Sequence, residues 1–448
     1  MKLWEKEAAT AEEVMAFTVG RDPEMDRLLA PYDVAGSMAH AIMLGASGII
    51  EKHEAKVLVE TLSQLFSETR EPGFKLDPGM EDIHTQLESR LVDALGETGK
   101  KIHTARSRND QVLTAILLMI RESWTRVLNG TTRVIGALLD KAEAHEKSLI
   151  PGYTHMQAAM PSSVALWLGS HAEALIGDLE LGASLCRAIN KNPLGSAAGY
   201  GTSFPIDRDI TTRLLHFEEL LISAPSAQLH RGKWETHTAY GWSAIASSLS
   251  GLASDMILYL NQNFDFISLP DAWTTGSSIM PHKKNPDVLE LIRAHSNRLL
   301  WLPSTIQGLS VNLTSGYHRD YQLTKELLFP ALETLVSSLS MMEQMIGKME
   351  IRENILDDPM YDHLFSVEEV NRKVMSGKSF RDAYREVARE IEEGRFRSGP
   401  DLRYTHTGSI GHPGILELRD RLNRVKEQFT CPGIEEIVHN MEKYYPPS

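Results

Sequence analysis

Two serine hydroxyls, two ammonium groups, a glycine and two prolines crowd into one short stretch, Thr274-Thr-Gly-Ser-Ser-Ile-Met-Pro-His-Lys-Lys-Asn-Pro286. Gly276 frees the backbone, Pro281 and Pro286 stiffen the far end, and Lys283 and Lys284 bring positive charge where backbone amides are also free. Such a segment suits an active-site loop that closes on an anion. A basic surface connection between helices would use the same residue types, and these residues alone do not choose between the two. Two other stretches concentrate polar groups that a helix core does not need. Lys101-Ile-His-Thr-Ala-Arg-Ser-Arg-Asn-Asp-Gln111 leads into a long apolar pattern, so its hydroxyls, guanidiniums and amides sit at a helix N-terminus, an end that attracts carboxylates. A solvated helix cap would account for Asp110 but not for so many ligand-bonding neighbours. Gly152-Tyr-Thr-His-Met-Gln157 lies between Pro151 and Pro161. Its His155 is of the type that shuttles protons near neutral pH, although a lone histidine is more often structural.

In this order, HTARSRNDQ, GYTHMQ and GSSIMPHKKNPD resemble the three signature regions of the fumarase/aspartase lyase superfamily, whose third signature reads GSS-x-MP-x-K-x-N. The first two resemble the argininosuccinate lyase branch, which usually reads HTGRSRNDQ and GYTHLQ. Further matches spread over most of the chain: EDIHTQLE at 81–88, NPLGS at 192–196, GTSFPIDR at 201–208 and YHRDYQLTKE at 317–326. There are departures. LWEKEA at 3–8 replaces a common LWGGRF, His282 stands where glutamine is common, and FTVGRDPEMD at 17–26 offers no clear match for a substrate-contacting serine.

The resemblance implies a carbon–nitrogen lyase that splits argininosuccinate into arginine and fumarate, a step of arginine biosynthesis. The alternatives are another fumarate-releasing lyase of the superfamily and a crystallin-like structural protein on the same fold. Such an elimination removes a proton beside a carboxylate, so a second negative charge develops on that group and cations must already be in place. Carried over residue by residue, the resemblance implies Ser278 as base and Lys284 as the cation on the aci-carboxylate. It implies His155, with Glu290 as its carboxylate partner, as the group that protonates the departing nitrogen directly or through water. The opposite assignment of acid and base stays open. Ser107, Arg108, Asn109 and Thr154 then correspond to substrate-carboxylate contacts, and Tyr317, Gln322 and Lys325 to contacts with the remaining end. Neither a metal nor another cofactor is expected: the histidines do not fall at tight ligand spacings with carboxylates or cysteines, and GYGTSF at 199–204 fits no nucleotide-binding pattern.

The elements that must hold these stretches are helices. No proline occurs between Pro78 and Pro151, between Pro161 and Pro193, or between Pro225 and Pro270, and those gaps leave room for long helices. In the first, Leu113, Leu117, Ile120, Trp124, Val127, Thr131, Val134 and Leu138 repeat in steps of four and three, with Val112, Ile116 and Met119 on an adjacent face. A helix apolar on more than one face needs neighbours on each, which points to a bundle larger than one chain supplies; a single buried helix of a large monomer is the alternative. Strand signals are weak. The expected fold is therefore all-α, with three domains. Residues 1–108 form an N-terminal helical domain, with helices near Val34–Leu44 and His53–Glu68 and a Pro/Gly-rich connection over Glu71–Gly79. Residues 109–357 form the central long-helix bundle. Residues 358–448, after the Asp357-Asp358-Pro359 break, form a C-terminal helical domain that includes a helix near Ser379–Gly394. The superfamily resemblance implies a homotetramer with a shared helical core, in which each active site draws its three signatures from three different subunits.

The bulk numbers fit an enzyme of small molecules. A chain of 448 residues, 42% hydrophobic, can bury a large core. A net charge of −14 and a pI near 5.7 argue against nucleic acid or an anionic membrane as the main partner. Cys186 and Cys431, the two cysteines, are too few for a disulfide framework or a thiolate metal site, which favours a reducing compartment. The N-terminus MKLWEKEAATAEEVM is charged and amphipathic, and no uncharged apolar run is expected to reach the roughly 18 residues of a membrane span. A cytoplasmic location follows as an expectation.

Overall fold

The computed structural model describes residues 12–77, 80, 82–397 and 402–445. The LWEKEA segment, Pro78 and Gly79 of the linker, and Glu81 of EDIHTQLE lie outside the described residues. The chain opens with α1 (Glu12–Val19), α2 (Asp22–Ala46), α3 (Lys52–Thr69), α4 (Ile83–Leu95) and the single turn α5 (Glu97–Lys100). The longest helix, α6 (Arg108–Ala144, 37 residues), comes next, followed by a hairpin of β1 (Leu149–Thr154) and β2 (Gln157–Ser163) and then α7 (Val164–Ile189). Two short helices, α8 (Arg208–Leu214) and α9 (Ala224–Leu229), lead to α10 (Lys233–Leu260), α11 (Asp287–Leu299), α12 (Leu302–Ser310) and α13 (Leu323–Lys348). The tail carries α14 (Ser366–Met375), α15 (Phe380–Glu392), α16 (Ile415–Lys426) and α17 (Ile434–Glu442). One hydrophobic core runs from Met25 to Met441, while Val370, Ala383, Val387 and Phe396 form a small separate one.

The apolar row of α6 is buried as its spacing predicts, from Leu113 to Leu138, but its neighbours belong to the same chain: α2, α7 and α13 pack around it. That row therefore does not itself call for other subunits. At its middle, Trp124 fills the space between α7 and α10, where two glycines make room. A Cβ added at Gly182 would come 2.6 Å from Trp124 Cζ3, and one at Gly241 would come 2.7 Å from Trp124 Cζ2. Gly241→Ala is expected to destabilise the protein by about 1–3 kcal/mol through this overpacking. Urea melts at fixed protein concentration would read it, and an unchanged midpoint would show that the indole can move aside.

The outward side of the bundle is unlike the inward one. On α10, Trp234, Trp242, Ile245, Leu249, Leu252 and Met256 are buried, whereas Tyr240, Ser247 and Gly251 are exposed and Ser243, Ala244, Ser250 and Ser254 are half-buried. Among the described residues α10 is long and apolar enough by composition to cross a membrane, with a mean hydropathy of 1.2 over its best window, of which 33% is buried. The stretch includes Asp255, so it is not an uncharged run of the kind expected from the sequence to be absent.

Two long helices also contain proline, Pro31 in α2 and Pro330 in α13. An interior proline forfeits a backbone hydrogen bond and crowds the preceding turn. Here the buried faces on both sides outweigh that local cost, with Leu29, Val34, Leu328 and Leu332 all in the core.

Candidate active site

Ser107 ends the irregular segment before α6 and starts the helix. Its Oγ accepts from the Asn109 N–H at 3.3 Å, and its own N–H donates to Asp110 Oδ1 at 3.0 Å, a reciprocal cap. Asp110 is fully buried and does a second job: its Oδ2 accepts from the N–H groups of Gly195 (2.9 Å) and Ala197 (2.8 Å). Burial pushes its carboxyl up to about 6, against the pull of these donors. The NPLGS loop is thereby pinned beside the α6 N-terminus, and Asn109 Nδ2 donates to Ala198 O at 3.4 Å. Arg108 reaches the other way, to Asp82 at 3.0 Å and to Thr85 Oγ1 at 2.9 Å. Burial works against the Asp82 ion, but His84 and Arg108 hold its carboxyl below the ordinary value.

Facing this helix end, the start of α13 carries Lys325, 5% exposed, with Nζ 2.6 Å from Asp22 Oδ1 and 2.7 Å from Asp26 Oδ1. Burial pushes Asp22 up to about 6 although Lys325 opposes it; burial also disfavours the ammonium, yet the two carboxylates keep the Lys325 pKa raised. Gln322 Nε2 donates to the Thr18 carbonyl at 3.0 Å, and Arg319 Nη2 donates to the same carbonyl at 2.9 Å. These bonds tie the turn Arg319–Gln322 to the corner between α1 and α2. The segment FTVGRDPEMD, which lacks the expected serine, thus supplies Asp22 and Asp26 instead.

Between these walls is a cleft of about 180 Å³, lined by Asp22, Asp26, Asp82, His84, Arg108 and Asn109 on one side and by Arg231, Tyr317, Arg319, Gln322 and Lys325 on the other. The structure therefore brings together Arg108, Asn109, Tyr317, Gln322 and Lys325, with Ser107 capping the helix that carries two of them. Sequence reasoning missed Asp22, Asp26, Arg231 and Arg319 as lining residues. Asp82 and His84 belong to EDIHTQLE, a match that could have nominated them, but Arg231 lies in a stretch without a motif. Its side chain is buried beside Tyr321 and Tyr317, with ring centroids 5.4 and 5.8 Å away, and Glu235 Oε1 is 3.8 Å from Nε. Nε and Nη1 have no hydrogen-bond partner, so this guanidinium keeps donor capacity at the edge of the cleft.

Thr154, His155, Ser278, Lys284 and Glu290 do not line this cleft. His155 and Met156 form the two-residue turn between β1 and β2, with φ of 54° and 60°, between the paired residues Thr154 and Gln157. Both central residues are left-handed, as in a type I′ turn that ordinarily takes Asn or Gly. Holding side chains there costs about 1–2 kcal/mol per residue, and the hairpin ladder beneath enforces it. His155 is consequently projected from the tip of a rigid hairpin into solvent. The Ser278 loop is closed at its neck by reciprocal backbone bonds between Thr275 and Asn285, at 3.1 and 2.8 Å. Ser278 is exposed, and Lys284 is ion-paired with Asp271 just before the loop. Gly276 is not left-handed here, and a Cβ on it would meet nothing; any need for glycine arises in another state of the loop. Glu290 is exposed on the first turn of α11, and no hydrogen bond joins it to His155 among the described residues.

Comparison with known proteins extends the picture. A family model described as a lyase matches residues 7–300. The chain is 48% identical over 411 residues to argininosuccinate lyase of Parabacteroides distasonis, covering 92% of each sequence, and 46% identical over 440 residues to that of Phocaeicola vulgatus, covering 98% and 99%. Against argininosuccinate lyase of Thermotoga neapolitana it is 38% identical over 387 residues, 86% of this chain and 97% of that one. Among solved structures, an EDDS lyase in complex with formate superposes with a TM-score of 0.76 at 20% identity, covering 98% and 95% of the two chains. A class II fumarase from Schistosoma mansoni gives 0.72 at 17% identity, covering 100% and 97%. These structures share the long-helix fold.

Proposed function

Since the chain belongs to the argininosuccinate lyase family of the fumarase/aspartase superfamily, we propose that its cleft is one third of an active site completed by the His155 hairpin and the Ser278 loop of two other subunits in a homotetramer. The reaction is the elimination of fumarate from argininosuccinate, which yields arginine. The observation that carries the proposal is the division of residues: most of the binding groups converge on one cleft within one chain, while the proton-transfer groups stand exposed outside it. Half-buried Ser243, Ala244, Ser250 and Ser254 with exposed Ser247 and Gly251 along α10 support the same assembly, because small side chains let helices approach closely.

In this reading the cleft takes the substrate by its charges. Lys325, Arg319 and Arg231 attract carboxylate, Asp22 and Asp82 attract the ammonium and guanidinium, and Tyr317 and Gln322 fix orientation at the arginine end. Ser107, Arg108 and Asn109, joined by Thr154 from a neighbouring subunit, hold the succinyl carboxylates near the positive end of α6. Ser278 removes the proton beside one carboxylate, and Lys284 leaves Asp271 to stabilise the doubly charged group that results. His155, oriented by Glu290 of another chain, protonates the departing nitrogen; the exchange of these two roles remains the alternative. We also propose the division into 1–108, 109–357 and 358–448, since α6 begins at Arg108 and the tail helices follow Asp357. A cytoplasmic location accords with two free thiols in an acidic chain.

Mixing tests the assembly. Ser278→Ala and His155→Asn subunits, each inactive alone, should regain a measurable fraction of wild-type fumarate release when unfolded and refolded together, because some hybrid sites escape both lesions. Light scattering should give about four times the 50.1 kDa chain. Hybrids of full size with no regained activity would sink the shared site, and a stable monomer would sink the tetramer.

A further inference from the structure

Away from the cleft, the chain's two cysteines lie side by side. Cys186 is buried in the last turn of α7, and Cys431 is half-exposed in the connection between α16 and α17. The two thiols line one small cavity together with Arg121, Asn190 and Glu218, and Asn190 Nδ2 donates to Cys431 Sγ at 3.4 Å. Beside them is a buried cation: Arg121 donates from Nη1 to Asn190 Oδ1 (3.2 Å) and to the carbonyls of Leu215 and His216 (2.9 Å each). Its Nε has no hydrogen-bond partner, and among the described residues no carboxylate lies within ion-pair distance of it. A buried guanidinium without a counter-ion is costly, and an ionised thiol next to it supplies the missing negative charge. Cys431 also opens onto a groove of about 410 Å³ bordered by Arg213 and His216, so small solutes reach its sulfur.

We propose that Cys431 and Cys186 are a hydroperoxide-reactive thiol pair, with Cys431 as the attacking thiolate and Cys186 as the resolving thiol that closes an intrachain disulfide. The neighbouring Cys186 thiol draws the Cys431 thiol down to about 6 and Arg121 adds to the effect, against burial and the Glu218 carboxylate at the same cavity, while the pairing pushes Cys186 up. At neutral pH the reactive form therefore sits on the accessible sulfur. The Cys431 thiolate attacks one oxygen of the peroxide: an S–O bond forms, the O–O bond breaks, and hydroxide or alkoxide leaves and is protonated. The Cys186 sulfur then attacks the sulfenic acid: an S–S bond forms, the S–O bond breaks, and water leaves with the Cys186 proton. Each sulfur loses one electron and the peroxide gains two. The bond would staple the segment leading into α17 to α7, and a dithiol reductant would release it.

Hydrogen peroxide added to the full-length, reduced enzyme tests this. The expected result is loss of both titratable thiols, a mass lower by two hydrogen atoms, and a Cys186–Cys431 disulfide on peptide mapping, reversed by reductant. In Cys186→Ser, dimedone should capture a sulfenic acid on Cys431, whereas Cys431→Ser should show no adduct under the same dose. The rate of thiol loss should level off above a pH of about 6 instead of climbing into the ordinary thiol range. Thiols that persist in the wild type, disulfides only between chains, or first oxidation at Cys186 would each overturn the proposal.

Discussion

Ser278→Ala is expected to lower kcat about 10²- to 10⁴-fold, the range contributed by a positioned proton-transfer group, while argininosuccinate binding stays within a few-fold of wild type. The separation follows from the geometry. Ser278 is exposed on its loop, outside the cleft that carries Lys325, Gln322 and Arg108. On the proposed function, ground-state affinity rests on those charges, and Ser278 meets substrate only after the loop closes and Lys284 exchanges Asp271 for the substrate carboxylate. Fumarate absorbance would read turnover and calorimetry would read binding. In the same inactive variant, amide exchange should slow on adding substrate across residues 276–284 and less at the neck, where Thr275 and Asn285 are already paired. Complete loss of binding in a folded variant would remove Ser278 from the list of catalytic residues.

Lys325→Met should harm both binding and stability. Taking out the ammonium leaves Asp22 and Asp26 buried together without a cation, a loss of about 3–5 kcal/mol in unfolding free energy. It also removes a charge-assisted contact to substrate, so KM should rise about 10- to 100-fold. The pH dependence gives a signed check. Asp22 has its folded pKa raised to about 6, so its contribution to stability is greatest below the ordinary carboxylate range and is lost as pH rises through about 6. The Lys325 pKa is raised as well, so in the wild type the ammonium still offsets the carboxylates at neutral pH, and its contribution is lost only in alkali. Without it, protonating Asp22 is the remaining relief. The variant's deficit should therefore shrink between about pH 8 and pH 5. A constant deficit across that range would mean that the two carboxylates are hydrated in the variant.

How much of this was readable beforehand differs from residue to residue. The burial of Leu113 through Leu138 follows from spacing alone, since a helix period survives any tertiary context that covers one face. The helix read near Val34–Leu44 continues upstream through Pro31, and α13 runs through Pro330; neither continuation was readable, because the cores override a local penalty that sequence reasoning weighs at full value. The His155 hairpin was hidden for the opposite reason: its turn uses His and Met where a turn signal would be Asn and Gly, so the local preference is violated at a residue of chemical interest. The Lys325–Asp26 bond joins residues 299 positions apart, and no local pattern encodes such a pairing. Arg231 was missed because neither its own periodicity nor a motif singled it out, whereas Ser278, Lys284 and His155 stood out through resemblance although none of them lines the cleft.

The outer stripe of α10 bears on the life of a subunit before it finds its partners. Before the proposed tetramer forms, this helix presents Tyr240, Ser247 and Gly251 along its outer side, not a row of leucines, so this one face offers little oily surface to unrelated proteins. Recognition among subunits then depends on backbone fit more than on stickiness, and a wrong partner is rejected by shape. The same economy leaves little margin. A Cβ at Gly251 meets nothing within the chain, so one bulky side chain there would leave the subunit folded yet barred from the proposed tetramer.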